Sequence, residues 1–261
     1  MDLKVDGKVA YAATGGRAFE AASPVIVMVH GAGMDHTVWT LPARSLAHRG
    51  RAVLAPDLPG HGKSAGPALT DISAMSAWIL RLLDAAGVKE AALLGHSMGS
   101  FIALDAAARA PGRVRRLALL GVAGRMPVHP DLLQAAAADR PEAADLIVSW
   151  AHGPAGHLGH GPAPGLWLMG GARRLLERAA EGVLVADLAA CDAYDAIAVA
   201  ARVVAPTLLI LGSEDRMTPP GRAKPLAAAL RQAETVLVPG AGHMLTSEAP
   251  DAVIDALLRF F

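Results

Sequence analysis

The pentapeptide Gly95-His96-Ser97-Met98-Gly99 limits what this chain can fold into more than any other stretch. An apolar run at 91–94 leads into it, and residues 100–109, rich in helix formers, lead out of it. A glycine-x-serine-x-glycine sequence between a strand and a helix requires a sharp turn with the serine at its tip. The serine then takes a strained backbone conformation while the helix passes close to neighbouring strands. A side chain at 95 or 99 would obstruct that approach, which is the physical reason for glycine at both. The turn exposes the Ser97 hydroxyl and aims the first N–H groups of the helix at whatever the hydroxyl attacks. Taken alone, the same pentapeptide also suits a glycine-flanked serine capping an ordinary helix.

Strand and helix patterns alternate around this turn. Asp6-Gly7 between two short alternating runs reads as a hairpin. Residues 24–29 are a continuous apolar run, as expected of a strand buried on both faces, and 52–55, 91–94, 114–122 and 206–211 read as further apolar strands. Helical spacing occupies 39–48, 71–86 and 221–230, followed by a short strand at 235–238 and a closing helix at 247–261. The pattern predicts an α/β fold with a mostly parallel central sheet flanked by helices. From 125 to 201 the sequence becomes Ala-rich and mostly helical, interrupted by a Gly/Pro/His loop at 151–165. Strand-type sequence lies on both sides. Residues 125–201 are therefore expected to form an inserted helical lid, with 1–124 and 202–261 as the core.

Composition narrows the partners. Apolar residues make up 53% of the chain, enough for a sizeable core. Lys plus Arg and Asp plus Glu number 24 each, so nothing electrostatic calls for nucleic acid or an anionic membrane surface. A single cysteine, Cys191, rules out an intrachain disulfide and a Cys-rich zinc site. No apolar stretch is long enough to span a bilayer. The N-terminus shows no basic-then-apolar leader, so a cytoplasmic location is expected.

In sheets of this kind reactive groups gather on loops at the carboxyl ends of the strands. Serine is a weak nucleophile and needs a base within hydrogen-bond reach. Of the ten histidines, His243 follows the last long strand in a glycine-rich loop, Gly240-Ala241-Gly242-His243. The base needs an acid to fix its tautomer, and Asp215 directly follows the 206–211 run in Gly212-Ser213-Glu214-Asp215. Glu214 is adjacent, but neighbours in a turn point in different directions. A developing oxyanion needs two preorganised donors. Met98 N–H is one, and Ala32 N–H in His30-Gly31-Ala32-Gly33, small and flanked by glycines, is the other.

These pieces occur in order over nearly the whole chain: His30–Gly33 with Trp39, the loop 57–64, Gly95–Gly99, Gly212–Asp215 with Met217-Thr218-Pro219, and Gly242-His243. In them the sequence resembles the α/β-hydrolase superfamily. The resemblance implies the α/β-hydrolase fold, a Ser97–Asp215–His243 triad and an oxyanion hole from Ala32 and Met98. It implies a mainly structural role for the loop carrying Asp57 and His61. Some members place the acid one strand earlier, but residues 121–125 here hold no carboxylate. Ser97 argues against a dehalogenase, whose nucleophile is an aspartate. The expected activity is that of a carboxylesterase-like serine hydrolase, cleaving a small to medium ester or lactone through an acyl-enzyme. The alternatives are a C–C bond hydrolase of the meta-cleavage-product type, an enol-lactonase or a perhydrolase. From another class, the alternative is a non-catalytic small-molecule-binding member.

No cofactor or metal is expected, and no oligomeric state is implied. A dinucleotide fingerprint is absent after the first long strand, where position 36 is His36. His152, His157 and His160 share one Gly/Pro loop and read as solvated, not as metal ligands. Trp150, Trp167 and Met169 either line a pocket or form the lid's own core. Arg173, Arg174 and Arg178 read as surface charge paired with Glu177 and Glu181.

Overall fold

The computed structural model describes residues 1–162 and 165–261, so residues 163 and 164 of the expected 151–165 loop lie outside the described residues. Asp6 and Gly7 both take positive φ, 52° and 77°. That turn folds β1 (Asp2–Val5) back on β2 (Lys8–Ala13) as an antiparallel hairpin. Next come β3 (Val25–Val29), α1 (Thr40–Ala47), β4 (Ala52–Pro56), α2 (Ile72–Ala85), β5 (Ala91–His96), α3 (Met98–Arg109) and β6 (Val114–Leu120). Among the described residues six helices separate β6 from the next strand: α4 (Pro130–Ala137), α5 (Pro141–Ala151), α6 (Pro154–His157), α7 (Leu168–Leu176), α8 (Val183–Ala193) and α9 (Ile197–Ala200). The chain closes with β7 (Thr207–Gly212), α10 (Lys224–Ala229), β8 (Ala233–Val238), α11 (Leu245–Glu248) and α12 (Pro250–Phe260).

The eight strands form one sheet in the order β1-β2-β4-β3-β5-β6-β7-β8. The β1–β2 and β2–β4 pairs are antiparallel, and every pair from β4 to β8 is parallel. Alternate residues of each central strand feed two cores, as the period of two requires. Val25, Val27, Val29, Leu93, Leu117, Leu119 and Leu209 pack under α2 and α3. Ile26, Met28, Leu94, Ala118, Leu208 and Ile210 pack on the other face, with Trp39, Leu46 and α12. Double burial explains why these strands read as unbroken apolar runs. The helices between β6 and β7 have a smaller core of their own, built on Leu132, Ile147, Val148 and Leu188, and joined by Met34 and Met244 from loops of the sheet.

Several boundaries differ from the sequence reading, each for a local reason. β6 ends at Leu120 because Gly121 turns away at φ 56°. The expected closing helix is two, because Pro250 has no N–H to continue α11. The expected 221–230 helix begins as a 3-10 turn, Pro220–Ala223, before α10. Among the described residues no helix is long and apolar enough to cross a membrane.

Candidate active site

β5 hands the chain directly to α3 through Ser97, which sits at φ 54°, ψ −121°. A non-glycine residue there carries strain of about 1–3 kcal/mol. The surroundings impose it. Ser97 N–H donates to Leu120 C=O at 2.9 Å, and Ser100 N–H donates to Ser97 C=O at 2.8 Å. Ser100 Oγ donates to Gly95 C=O and Leu120 C=O, tying the turn to β5 and β6. A Cβ at Gly95 would lie 2.2 Å from Gly99 O, and one at Gly99 would lie 2.1 Å from Val29 O. The close approach expected from the pentapeptide is therefore present at both glycines.

His243 and Asp215 come together from the loops after β8 and β7. His243 Nδ1–H donates to Asp215 Oδ2 at 2.8 Å, and both side chains are buried. Glu214 is exposed and takes no part in this contact. Asp215 also accepts from Met217 N–H, Thr218 N–H and Thr218 Oγ1–H at 2.9, 2.8 and 2.7 Å. Burial alone would raise the Asp215 carboxyl. The charge and bond of His243, with the Thr218 donors, outweigh burial and hold it at about 2. His243 Nε2 is buried and has no hydrogen-bond partner among the described residues. The backbone around His243 is held by His96, whose Nε2–H donates to His243 C=O at 2.9 Å. Burial, with the nearby His243 ring, pushes His96 down to about 3, so it stays neutral. Ala151 C=O at the end of α5 accepts from His243 N–H at 2.7 Å, so the inserted helices are stitched to the histidine loop.

The acid response of Asp215 has a definite sign. Its folded value lies below the usual carboxylate value, so its contribution to stability is complete above roughly pH 4 and is lost as pH falls toward about 2. The amount is about 2 kcal/mol. Asp215→Asn is expected to flatten that part of the acid limb. Urea unfolding of both proteins at pH 5 and pH 2.5 measures the difference.

The candidate oxyanion donors come from the helix that follows Ser97 and from the loop after β3, the strand paired with β5. Met98 N–H is the first amide of α3, and helix geometry leaves it without an intrahelical acceptor. Ala32 lies on the loop after β3. Among the described residues no hydrogen bond engages either amide. His30 anchors the Ala32 loop: its Nδ1–H donates to Gly31 C=O at 2.9 Å, and its Nε2 accepts Leu58 N–H at 3.0 Å.

Ser97, His243, Ala32 and Thr218 line one cavity of about 280 Å³. Its far wall comes from the inserted helices and the loop before them, including Val128, Leu132, Ile147 and Trp150. A larger cavity, about 620 Å³, opens beside Pro24, Gly87 and Arg116 at the amino ends of the strands, away from Ser97. Trp150 thus lines the cavity, whereas Trp167 is exposed and Met169 packs into the small helical core. Cys191 is buried and also lines the cavity. The solvated reading of the histidine loop fails for His152. It is buried and its Nδ1–H donates to Val148 C=O at 2.9 Å. Arg173 and Arg174 pair with Glu177 as expected, but Arg178 faces Asp35 at 3.6 Å instead of Glu181.

Asp57 and His61 stand apart from Ser97 in role. Asp57 accepts from His36 N–H, His36 Nδ1–H and Lys63 N–H, which shapes its own loop. Asp35, His36 and Asp57 are the one trio of metal-ligand type gathered among the described residues. Their atoms are engaged in these bonds and in Asp35's cap of Thr37. Sequence reasoning missed Thr218, His96 and Asp187. Asp187 is a buried acid in the otherwise apolar start of α8, and that isolation was its only local signal.

A strained serine between a parallel strand and a helix, with a carboxylate-backed histidine on neighbouring strand ends, is the arrangement that the α/β-hydrolase fold presents. The chain belongs to the alpha/beta hydrolase family, whose sequence profile matches residues 26–256. It is 33% identical over 258 residues to the dihydrolipoyllysine-residue acetyltransferase component of an acetoin cleaving system from Pseudomonas putida, which covers 92% of this chain. It spans 64% of that relative's length. Over 105 residues, 38% of this chain and 36% of the relative, it is 41% identical to a 2-hydroxymuconate semialdehyde hydrolase of a Pseudomonas species. Among solved structures, the enol-lactonase from Burkholderia xenovorans superposes with a TM-score of 0.89 at 25% identity, covering 100% of this chain and 99% of that one.

Proposed function

We propose that the protein is a serine hydrolase that cleaves a small carboxylic ester or lactone through an acyl-enzyme on Ser97. The observation that carries this reading is the state of His243. Its Nδ1–H is fixed on Asp215, its Nε2 is buried and has no partner among the described residues, and His243 lines the same cavity as Ser97. That nitrogen takes the Ser97 proton as Oγ adds to the carbonyl carbon. The tetrahedral oxyanion receives the Ala32 and Met98 N–H groups. Collapse expels the alcohol, which takes its proton from His243. Water, activated by the same nitrogen, then releases the acid and frees Ser97. Residues 125–201 act as a lid over the core formed by 1–124 and 202–261. Support comes from the apolar cavity wall that these helices supply.

A second reading, a lactone or ester carrying its own carboxylate, is favoured by one feature of the same cavity. Arg216 and Arg222 line it, no acidic side chain does, and neither guanidinium has an ion-pair partner among the described residues. Turnover of p-nitrophenyl esters from acetate to decanoate tests the first reading. Rates are expected to be highest for the shortest acyl groups and to fall by about tenfold or more by decanoate, because the cavity cannot take the longer chain. The second reading expects succinate monoesters to outrun the uncharged esters of equal length, and Arg216→Ala with Arg222→Ala to remove that advantage. No turnover of any ester or lactone overturns both.

A further inference from the structure

Asp187 on α8 is a fully buried carboxylate that the proposed chemistry does not use. Its Oδ2 accepts two bonds, from Gly33 N–H at 2.8 Å and from His61 Nε2–H at 2.8 Å. Gly33 follows Ala32 directly, so this bond reaches the loop that carries a candidate oxyanion donor. His61 lies on the loop after β4, and its Nδ1 faces Pro59 C=O at 3.0 Å. Both of its nitrogens therefore face acceptors. A neutral imidazole has only one N–H, so the arrangement is satisfied by the imidazolium. Burial opposes that charge, but the bond and charge of Asp187 more than offset it and raise the His61 value.

The next ring is in the opposite state. His30 lies 4.9 Å from His61, centroid to centroid, and donates from Nδ1 while accepting at Nε2. It is neutral, pushed down to about 4 by burial and by the charge on His61. One face of the Ala32 loop is thus held from the core by His30. The other is held from the inserted helices by Asp187. Packing reinforces the second contact. Gly33 takes φ 65°, and a Cβ there would lie 2.9 Å from Leu184 Cδ1 of α8.

We propose that Asp187 is a positioning residue that sets the Ala32 N–H toward the oxyanion, so that the inserted helices help to build the site as well as cover it. The inference rests on the serine-hydrolase reading above. Charge and geometry divide the role. The carboxylate fixes Gly33 through a bond to its amide, and the His61 imidazolium fixes the carboxylate.

The test uses the full chain, wild type against Asp187→Ala and Asp187→Asn, on p-nitrophenyl acetate. A trifluoromethyl ketone serves as the probe of the tetrahedral adduct on Ser97. Asp187→Ala is expected to lower kcat by roughly 30- to 100-fold with KM within about twofold, and to weaken the ketone by the factor lost in kcat/KM. Asp187→Asn still offers Gly33 an acceptor but loses the charge that His61 binds, and is expected to lower kcat by roughly three- to tenfold. If Asp187→Ala does not fold, Asp187→Asn carries the same kcat-against-KM split, with the ketone affinity as its second readout. Wild-type kcat in the folded variants, or a rise in KM alone, overturns the proposal. Wild-type turnover that survives Ser97→Ala overturns the underlying serine reading instead, so the two failures are distinct.

Discussion

Replacing Ser97 with alanine is expected to lower ester turnover by about 10⁶-fold, leaving the slow hydrolysis that the oxyanion donors and binding alone support. The argument is chemical. Without Oγ there is no acyl-enzyme, and His243 Nε2 has nothing in the protein to deprotonate. Activity and stability separate at this position. Alanine keeps the same side-chain conflict at φ 54°, ψ −121°, whereas glycine relieves it. Ser97→Gly is therefore expected to be as inactive as Ser97→Ala but more stable, by about 1 kcal/mol. Initial rates per mole of folded protein, together with urea midpoints, measure both effects. Full turnover by Ser97→Ala would remove the acyl-enzyme from consideration.

Gly99→Ala is expected to destabilise the fold by about 3 kcal/mol or more, at or above the upper end of ordinary overpacking. The added methyl would lie 2.1 Å from Val29 O and 2.6 Å from His30 O. Both are backbone atoms at the end of a strand buried on both faces, so no side chain can rotate away. Either α3 moves off β3, which carries Ser97 and Met98 with it, or β3 moves and takes the His30–Gly33 loop along. Activity is expected to fall even in the folded fraction. Gly112→Ala is the control. A Cβ there has nothing within 4 Å, and its stability is expected to change by no more than about 0.5 kcal/mol. Equal urea midpoints for the two variants would contradict the close-approach account of the pentapeptide.

The site was legible to the extent that its residues carry local signals. Ser97 and Asp215 each follow a strand whose burial is written in its own composition, whereas β8 before His243 is mostly exposed and the local signal there was the Gly240–Gly242 loop. Gly95 and Gly99 record a backbone approach that any side chain would block. Asp215 could be told from Glu214 because only one of two turn neighbours can face the sheet end. The helices between β6 and β7 were visible as a change of texture, but their contacts were not. His152 sits in a stretch that reads as a solvated loop, yet it folds back onto the Val148 carbonyl. Arg178 has Glu181 close by in sequence and reaches Asp35 instead.

Asp187 marks the boundary most clearly. It is separated from Gly33 by 154 positions and from His61 by 126, and an acid among the apolar residues of a helix reads as that helix's solvent face. By itself the sequence determined the strands, the serine turn and the order of the reactive loops, because periodicity, turn sterics and glycine clearance act over a few residues. Tertiary structure decided which polar groups are buried together, which buried histidine faces two acceptors and which wall of the cavity faces Ser97. Those outcomes depend on desolvation and on hydrogen-bond partners that only packing brings within reach.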